Sequence, residues 1–238
     1  MNLEEFKIIF KEECINNNIK IKENSIEKFY NYMVEILEWN NKVNLTAIKE
    51  EKEFIIKHYI DSLIISKYIK EDCKIIDIGT GAGFPGIPLK LLNEKIDITL
   101  IDSVNKKLNV IKNITEKMNL NKIQIIHTRA EDLAIKKEFR EKYDIATTRA
   151  VSNFCTILEY MLPFLKVGGK AICMKGPNFK EELEESKKAI EILGGELERV
   201  DTFNIDDATR NIVIIKKIKN TPNKYPRSQG KPLKEPIK

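Results

Sequence analysis

The sequence has little of what metal and redox chemistry draws on. Histidine occurs twice in 238 residues, as His58 and His127, and tryptophan once. With His127 as the chain's only other histidine, His58 gives little basis for a metal site. The four cysteines, Cys14, Cys73, Cys155 and Cys173, are scattered without C-x-x-C spacing. That excludes a zinc ribbon and a disulfide framework and points to a reducing, cytoplasmic setting. No stretch approaches the ~18 uninterrupted apolar residues of a membrane helix. The start, MNLEEFKIIFKEE, lacks the basic start and long apolar run of a signal peptide. What is present, 42% apolar and 32% charged residues, is the composition of a soluble globular protein. Glycine is also scarce, ten in all, yet four of the ten fall within residues 79–86.

Those four glycines organise the chain. In Lys74–Pro88, KIIDIGTGAGFPGIP, the apolar Lys74–Ile78 reads as a strand buried on both faces. Gly79, Gly81 and Gly83 follow at alternate positions, Gly86 closes the loop, and Ile87–Leu92 reads as helix. Such a strand, glycine turn and helix places a small ligand at the carboxyl end of the strand. The G-x-G-x-x-G spacing of Gly81–Gly86 alone is weak evidence for a dinucleotide. Two features point elsewhere. Asp77 precedes the first glycine by two residues, and a carboxylate there suits a cationic ligand. Pro85 and Pro88 remove amides from the helix N-terminus that a pyrophosphate would use. S-adenosylmethionine, with an ammonium and a sulfonium and no phosphate, fits better.

Residues 2–17 and 24–40 carry helical periodicity, and Asn24 or Ser25 is expected to cap the second helix. Trp39–Thr46, with three asparagines among its first six residues, reads as a structured loop. Helical signal returns over Glu50–Lys70 and puts His58 and Asp61 on one face. His58 reads better as a partly buried, hydrogen-bonded histidine than as a catalytic one. Beyond the glycines, Ile96–Asp102 reads as a second strand. Asp102, at its end and some twenty residues past the glycines, is placed either to hold ribose hydroxyls or to cap the helix beginning near Val104. Val104, Leu108, Ile111 and Met118 should line one face of that helix. Ile123–His127 is a third strand, with Arg129–Asp132 as the turn after it, able to read an adenine edge or merely to cap. Tyr143–Thr148 is a fourth, ending in Arg149-Ala150-Val151, so that Arg149 faces the site. Phe154–Lys166 reads as helix stopped by Val167–Lys170, Ala171–Lys175 as a fifth strand, and Phe179–Leu193 as helix. Glu196–Ile205 and Arg210–Lys217 read as a closing antiparallel pair. The order predicts an α/β fold: a doubly wound, Rossmann-like, seven-stranded sheet with six parallel strands and one antiparallel. It divides the chain into a helical extension (1–70), a sheet domain (71–219) and a tail (220–238).

The net charge of +5 is unevenly spread. Eight basic residues against Glu235 give residues 216–238 a charge of +7, so the rest of the chain carries −2. With four prolines and no apolar period, residues 220–238 read as tail rather than core, suited to a polyanion such as nucleic acid.

The predicted topology with D-I-G-T-G-A-G at 77–83 is similar to that of class I S-adenosylmethionine-dependent methyltransferases. WNNKVNLTAI at 39–48, HYIDSL at 58–63, DIGTGAGFPGIPL at 77–89, LIDSVNKKLNVI at 100–111, TRAEDL at 128–133 and TRAV at 148–151 together resemble the RsmG (GidB) family. The tail YPRSQGKPLKEPI at 225–237 resembles that of one branch of it. The resemblance implies a bacterial cytoplasmic enzyme; from the sequence itself no membrane and no metal are expected, and a monomer. It would methylate N7 of one guanosine in 16S ribosomal RNA, free or in the small ribosomal subunit. It also implies cofactor positions at Gly79, Phe84, Ala130, Glu131 and Arg149, with Asp102 as the acid after the second strand. Asp77, Gly81 and Gly83 join this set from the loop reading. N7 chemistry fits the residues: the sequence has no N-P-P-Y or D-P-P-Y after the fourth strand, and N7 has a lone pair that needs no deprotonation. The alternatives are a methyltransferase of the same fold acting on a protein or small molecule, and a binding or dehydrogenase-like module that transfers no methyl. The tail, in turn, either neutralises phosphates or folds back over the cofactor pocket.

Overall fold

The computed structural model describes residues 1–149, 152–177, 179–206 and 208–238. Ala150 and Val151, expected to close the fourth strand, lie outside the described residues.

Two helices open the chain, α1 (Leu3–Asn16) and α2 (Glu23–Asn40). The first begins with a capping box: the Asn2 side chain accepts from the Glu5 amide and the Glu5 carboxylate accepts from the Asn2 amide. The second begins one residue earlier than expected. Its N-cap is Lys22, without a side-chain cap, and Ser25 lies inside the first turn, donating to the Lys22 carbonyl. The single helix expected over 50–70 is broken into α3 (Glu51–Phe54), a π-helical turn (Ile55–Ile60), α4 (Asp61–Leu63) and a 3₁₀ turn (Ser66–Tyr68). The wide turn carries His58, and such turns often sit at functional sites.

The sheet follows as β1 (Lys74–Ile78), α5 (Gly86–Leu92), β2 (Asp97–Asp102), α6 (Asn105–Lys117), β3 (Ile123–His127), α7 (Ala130–Ala134), β4 (Tyr143–Thr148) and α8 (Phe154–Met161). It is completed by β5 (Leu165–Lys175), α9 (Phe179–Glu185), α10 (Lys187–Ile192), β6 (Gly195–Ile205) and β7 (Ala208–Lys217). The order is β3-β2-β1-β4-β5-β7-β6, with β7 antiparallel to both its neighbours and every other pairing parallel. The expected sheet, with one reversed strand, is the one observed. Order reverses between β1 and β4, which opens a crevice beyond their carboxyl ends.

Three local expectations fail. Gly168 and Gly169 do not stop a helix: α8 has already ended at Met161, and the glycines lie inside β5 at an irregular register against β4. Gly168 at φ +90 supplies the conformation that irregularity needs. Val104 is not on the buried face of α6; it is the N-cap residue and 46% exposed. Residues 220–238 are not a solvated tail: Thr221, Tyr225, Pro226, Pro232 and Ile237 are buried.

The alternation of β1 splits the interior in two. Ile75 joins a core built with α1, α2 and the broken helical segment, while Ile76 joins one built with α7, α8, α10 and the C-terminal residues. The N- and C-terminal segments therefore cover opposite faces of the sheet. Among the described residues no helix is long and apolar enough to cross a membrane.

Candidate functional site

The glycine loop is fixed by its own amides. Gly79, Gly81 and Gly83 adopt φ of +70, +58 and +84, which side-chain-bearing residues rarely tolerate. Gly79 N–H donates to Ile101 O (2.9 Å), Gly81 N–H to Asp102 Oδ2 (2.8 Å), Gly83 N–H to Thr80 O (2.9 Å) and Gly86 N–H to Asp77 Oδ2 (2.9 Å). All four glycine amides are thus spent inside the protein. A pyrophosphate site needs such amides turned toward the ligand.

Asp77 lies beneath the loop, fully buried. Its Oδ2 accepts from Thr80 Oγ1 (2.7 Å) as well as from Gly86, and a Cβ at residue 86 would come within 2.8 Å of it. Its Oδ1 has no partner among the described residues. Burial raises the Asp77 carboxyl to about 6, while the bonds from Thr80 and Gly86 and the charge of Arg149 act in the opposite direction.

Above Gly79 opens a cleft of about 190 Å³. Its floor is Gly79 with Ile78 and Ile101; its rim carries Asp102, Ala130 and Glu131; its far wall is Ile157, Tyr160 and Met161 of α8. Four of the nine residues singled out in the sequence, Gly79, Asp102, Ala130 and Glu131, therefore meet in one cleft. Gly81, Gly83, Asp77, Phe84 and Arg149 do not line it. Gly81 has open space where a Cβ would point, whereas a Cβ on Gly83 would strike Tyr32 and Ile87, so that glycine serves packing. Asp102 combines two duties: Oδ2 holds Gly81, and Oδ1 accepts from the Val104 amide (2.8 Å). The alternatives open in the sequence were a ribose contact and a helix cap; the structure adds a third role, bracing the glycine loop.

Phe84 and Arg149 belong to a second cluster beside the loop. The His58 ring stacks on Phe84 at 4.3 Å with a 5° interplanar angle, and the Arg149 guanidinium lies 5.2 Å from the Phe84 centroid. Arg149 Nη2 is 3.0 Å from His58 Nδ1, and His58 Nε2 is 2.7 Å from Thr46 Oγ1. A guanidinium can only donate, so Nδ1 is the acceptor and Nε2 carries the proton. Burial first, and the Arg149 charge second, push the His58 imidazole down to about 3. It is neutral, with both ring nitrogens engaged. Asp61 accepts from Arg210 Nε (2.8 Å) and lies 3.9 Å from Arg149. Asn40 closes the loop that delivers Thr46, accepting from the Leu45 and Thr46 amides (2.8 and 3.0 Å).

Sequence reasoning missed Ser152, Tyr160 and Arg210. Burial, with the charges of Glu131 and Glu159, raises the Tyr160 phenol to about 12. A polar Glu159-Tyr160 pair inside an otherwise apolar helix was the available signal. Arg210 lies on β7, far along the chain, and carries no such signal.

The fold is that of the class I S-adenosylmethionine-dependent methyltransferases. Among solved structures it resembles M. jannaschii TYW2 in complex with AdoMet, with TM-score 0.55 at 17% identity over 66% of this chain and 75% of that one. It also resembles M. capricolum TrmK in complex with S-adenosylhomocysteine, with TM-score 0.52 at 20% identity over 73% of each chain. The family itself is set by sequence. Residues 25–213 match the model for GidB, rRNA small subunit methyltransferase G. Two bacterial proteins called ribosomal RNA small subunit methyltransferase G illustrate the likeness. That of Alkaliphilus oremlandii is 49% identical over 98% of this chain and all of its own length, and that of Clostridium tetani 47% over 97% and 98%. The chain belongs to the rRNA small subunit methyltransferase G family.

Proposed function

We infer that the protein is an S-adenosylmethionine-dependent methyltransferase of small-subunit ribosomal RNA, and propose N7 of one guanosine in 16S rRNA as the acceptor. The observation that carries the cofactor assignment is that the loop keeps all four glycine amides for itself while leaving one buried Asp77 oxygen without a partner. A ligand without phosphate and with a cationic end suits that arrangement. Gly79, Asp102, Ala130 and Glu131 would hold its nucleoside part, Asp102 and Glu131 accepting from its hydroxyl and amino groups. Gly81 and Gly83 shape the loop, Asp77 lies beside the cationic end, and Phe84 and Arg149 border the side where the acceptor base enters. When bound, S-adenosylmethionine supplies an electrophilic methyl on a sulfonium.

Guanine N7 presents a lone pair at neutral pH, so the protein has no proton to remove. That agrees with His58, which is neutral and has no free ring nitrogen. In this reading Arg149 would donate to the acceptor base or to the cofactor carboxylate. What remains for the protein is alignment in a site shielded from water by the Phe54, His58 and Phe84 rings. Substrate of this kind is met in the bacterial cytoplasm, and the enzyme works as a monomer in this reading.

Two measurements test it. Calorimetric titration should show binding of S-adenosylmethionine and none of NAD; the reverse rejects the cofactor assignment. Mapping of rRNA modifications in cells lacking the protein should show loss of one 7-methylguanosine in 16S rRNA. An unchanged 16S map, with methyl transfer to a protein or small molecule instead, rejects the substrate.

A further inference from the structure

Residues 221–237 form a strap across the outer face of α7 and α8. Arg140 holds its start, donating to Thr221 O (2.7 Å) and Tyr225 O (2.8 Å). Arg227 then closes on Glu159, whose side chain is 1% exposed: Nη2 to Oε2 at 2.7 Å, Nε to Oε1 at 3.0 Å, and the Arg227 amide to Oε1 at 2.7 Å. Gly230 turns the strap at φ +76 and donates its amide to Glu131 Oε1 at 3.0 Å. Farther on, Pro232 O accepts from Thr156 Oγ1 at 2.9 Å. The two carboxylates engaged are not arbitrary. Glu131 is on the cofactor cleft, and Glu159 precedes Tyr160 of its far wall. The strap lies beyond residue 213, where the family match ends.

We propose that this strap is a positioning element for the cofactor cleft: Arg227 anchors it on Glu159 so that the Gly230 amide sets the Glu131 carboxylate for a nucleoside ligand. The proposal rests on the reading of the cleft as the S-adenosylmethionine site. A glutamate side chain loses rotamer freedom when a ligand fixes it, and a carboxylate already fixed by a backbone amide has lost it beforehand. Without the strap, that ordering falls on the ligand and affinity drops by about five- to thirtyfold.

The test is a double-mutant cycle read by calorimetric titration of S-adenosylmethionine into the full-length chain, with melting temperature recorded for each variant. Arg227→Ala should weaken binding by about five- to thirtyfold. Glu131→Ala should weaken it as well, and the double variant should bind within about twofold of Glu131→Ala alone, because the strap acts through that carboxylate. Additive losses overturn the proposal. So does a lowered melting temperature with unchanged affinity, which makes the strap packing only. If Arg227→Ala does not fold, Glu159→Gln replaces it, keeping the shape and weakening the anchor; the same non-additivity with Glu131→Ala is expected, and its absence counts against the strap. Wild-type protein that binds no S-adenosylmethionine overturns the functional reading, and the strap with it. Wild-type binding with an indifferent Arg227→Ala overturns the strap alone.

Discussion

The N-terminal extension and the C-terminal strap brace the same site from opposite faces of the sheet, and they do so by different chemistry. The extension works through rings. Phe6, Phe10, Phe29, Phe54 and Phe84 surround Tyr59, and the Tyr32 hydroxyl donates to Ala82 O (2.9 Å) in the glycine loop. The strap works through the Arg227–Glu159 ion pair and a few backbone hydrogen bonds, with Tyr225 and Ile237 as its buried apolar anchors. Aromatic burial is strong and tolerant of small shifts. A bidentate carboxylate–guanidinium pair fixes direction but contributes less net stability once desolvation is counted. The extension therefore carries stability, and the strap carries orientation.

The sharpest way to break that comparison is to remove the centre of the aromatic cluster. Tyr59→Ala should cost about 3–5 kcal/mol, because it empties a fully buried site and leaves the Phe29 carbonyl without its donor. Urea denaturation measures it. A loss below about 1 kcal/mol would mean that the extension is a cover rather than a core.

Asp77, between the two braces, should respond in the opposite direction. With its carboxyl raised from 3.8 to about 6 by burial, the ionised form carries a penalty that is full above pH 6 and disappears below 3.8. Asp77→Asn keeps an acceptor for Thr80 and Gly86 and places an uncharged amide at the unpartnered oxygen. It should stabilise the free protein by about 1–3 kcal/mol at pH 7.5, with the gain fading as pH falls from 6 toward 3.8. S-adenosylmethionine affinity should fall at the same time. Melting curves and titrations on one preparation show both, and stabilisation without loss of affinity would remove Asp77 from the binding site.

The difference between the braces also governs what could be read from sequence. The extension was legible because the apolar periodicity of residues 2–17 and 24–40 writes a helix face directly, and its Phe6, Phe10, Phe29, Met33 and Ile36 are all buried. The sheet was legible because alternating strands and helices admit few topologies. The strap was not, since prolines and lysines describe a solvated tail equally well, and nothing local marks Glu159 or Glu131 as partners 68 and 99 residues away. The break of the segment 50–70 into a π-helical turn was hidden for a similar reason: His58 within it bonds Thr46 and Arg149, far off in the chain, which the pattern of its own residues does not show. Within the site, Gly79 and Asp102 follow from their places after the strands and Ala130 and Glu131 from the family resemblance, whereas the packing role of Gly83 needed Tyr32 in three dimensions.

A smaller effect concerns charge. The strap's formal charge overstates what it can offer an RNA, because Arg227 is committed to Glu159. Deleting residues 221–238 removes Lys224, Lys231, Lys234 and Lys238 as the exposed cations. At roughly 0.7 per phosphate contact on a single strand, the log–log salt slope of rRNA binding should flatten by at most about 3. Filter binding across a salt series measures the slope. A change beyond about 3, toward the roughly 3.5 that a fifth contact allows, would require Arg227 to leave Glu159 in the complex, and would turn the strap from a brace into an RNA arm.

The smallest effect is expected at the residue that looks most catalytic. His58 stacks on Phe84 and touches Arg149, yet Arg149 occupies Nδ1, Thr46 occupies Nε2, and the imidazole gains a proton only near pH 3. Its buried neutral form contributes stability that is complete above pH 6.5 and is lost as pH falls through 3. At the pH of methyl transfer it neither gives nor takes a proton. His58→Gln keeps a donor toward Thr46 and removes the acceptor that steadies Arg149, so turnover should fall by about tenfold or less, through a looser guanidinium. The pH–rate profile between 6.5 and 9 should keep its shape, and the acid limb of unfolding below pH 6.5 should become shallower. Single-turnover methylation of rRNA across that range decides the matter. A fall of a thousandfold in a folded variant, or the loss of a titrating limb from the profile, would mean that a base is required, and guanine N7 could not then be the acceptor.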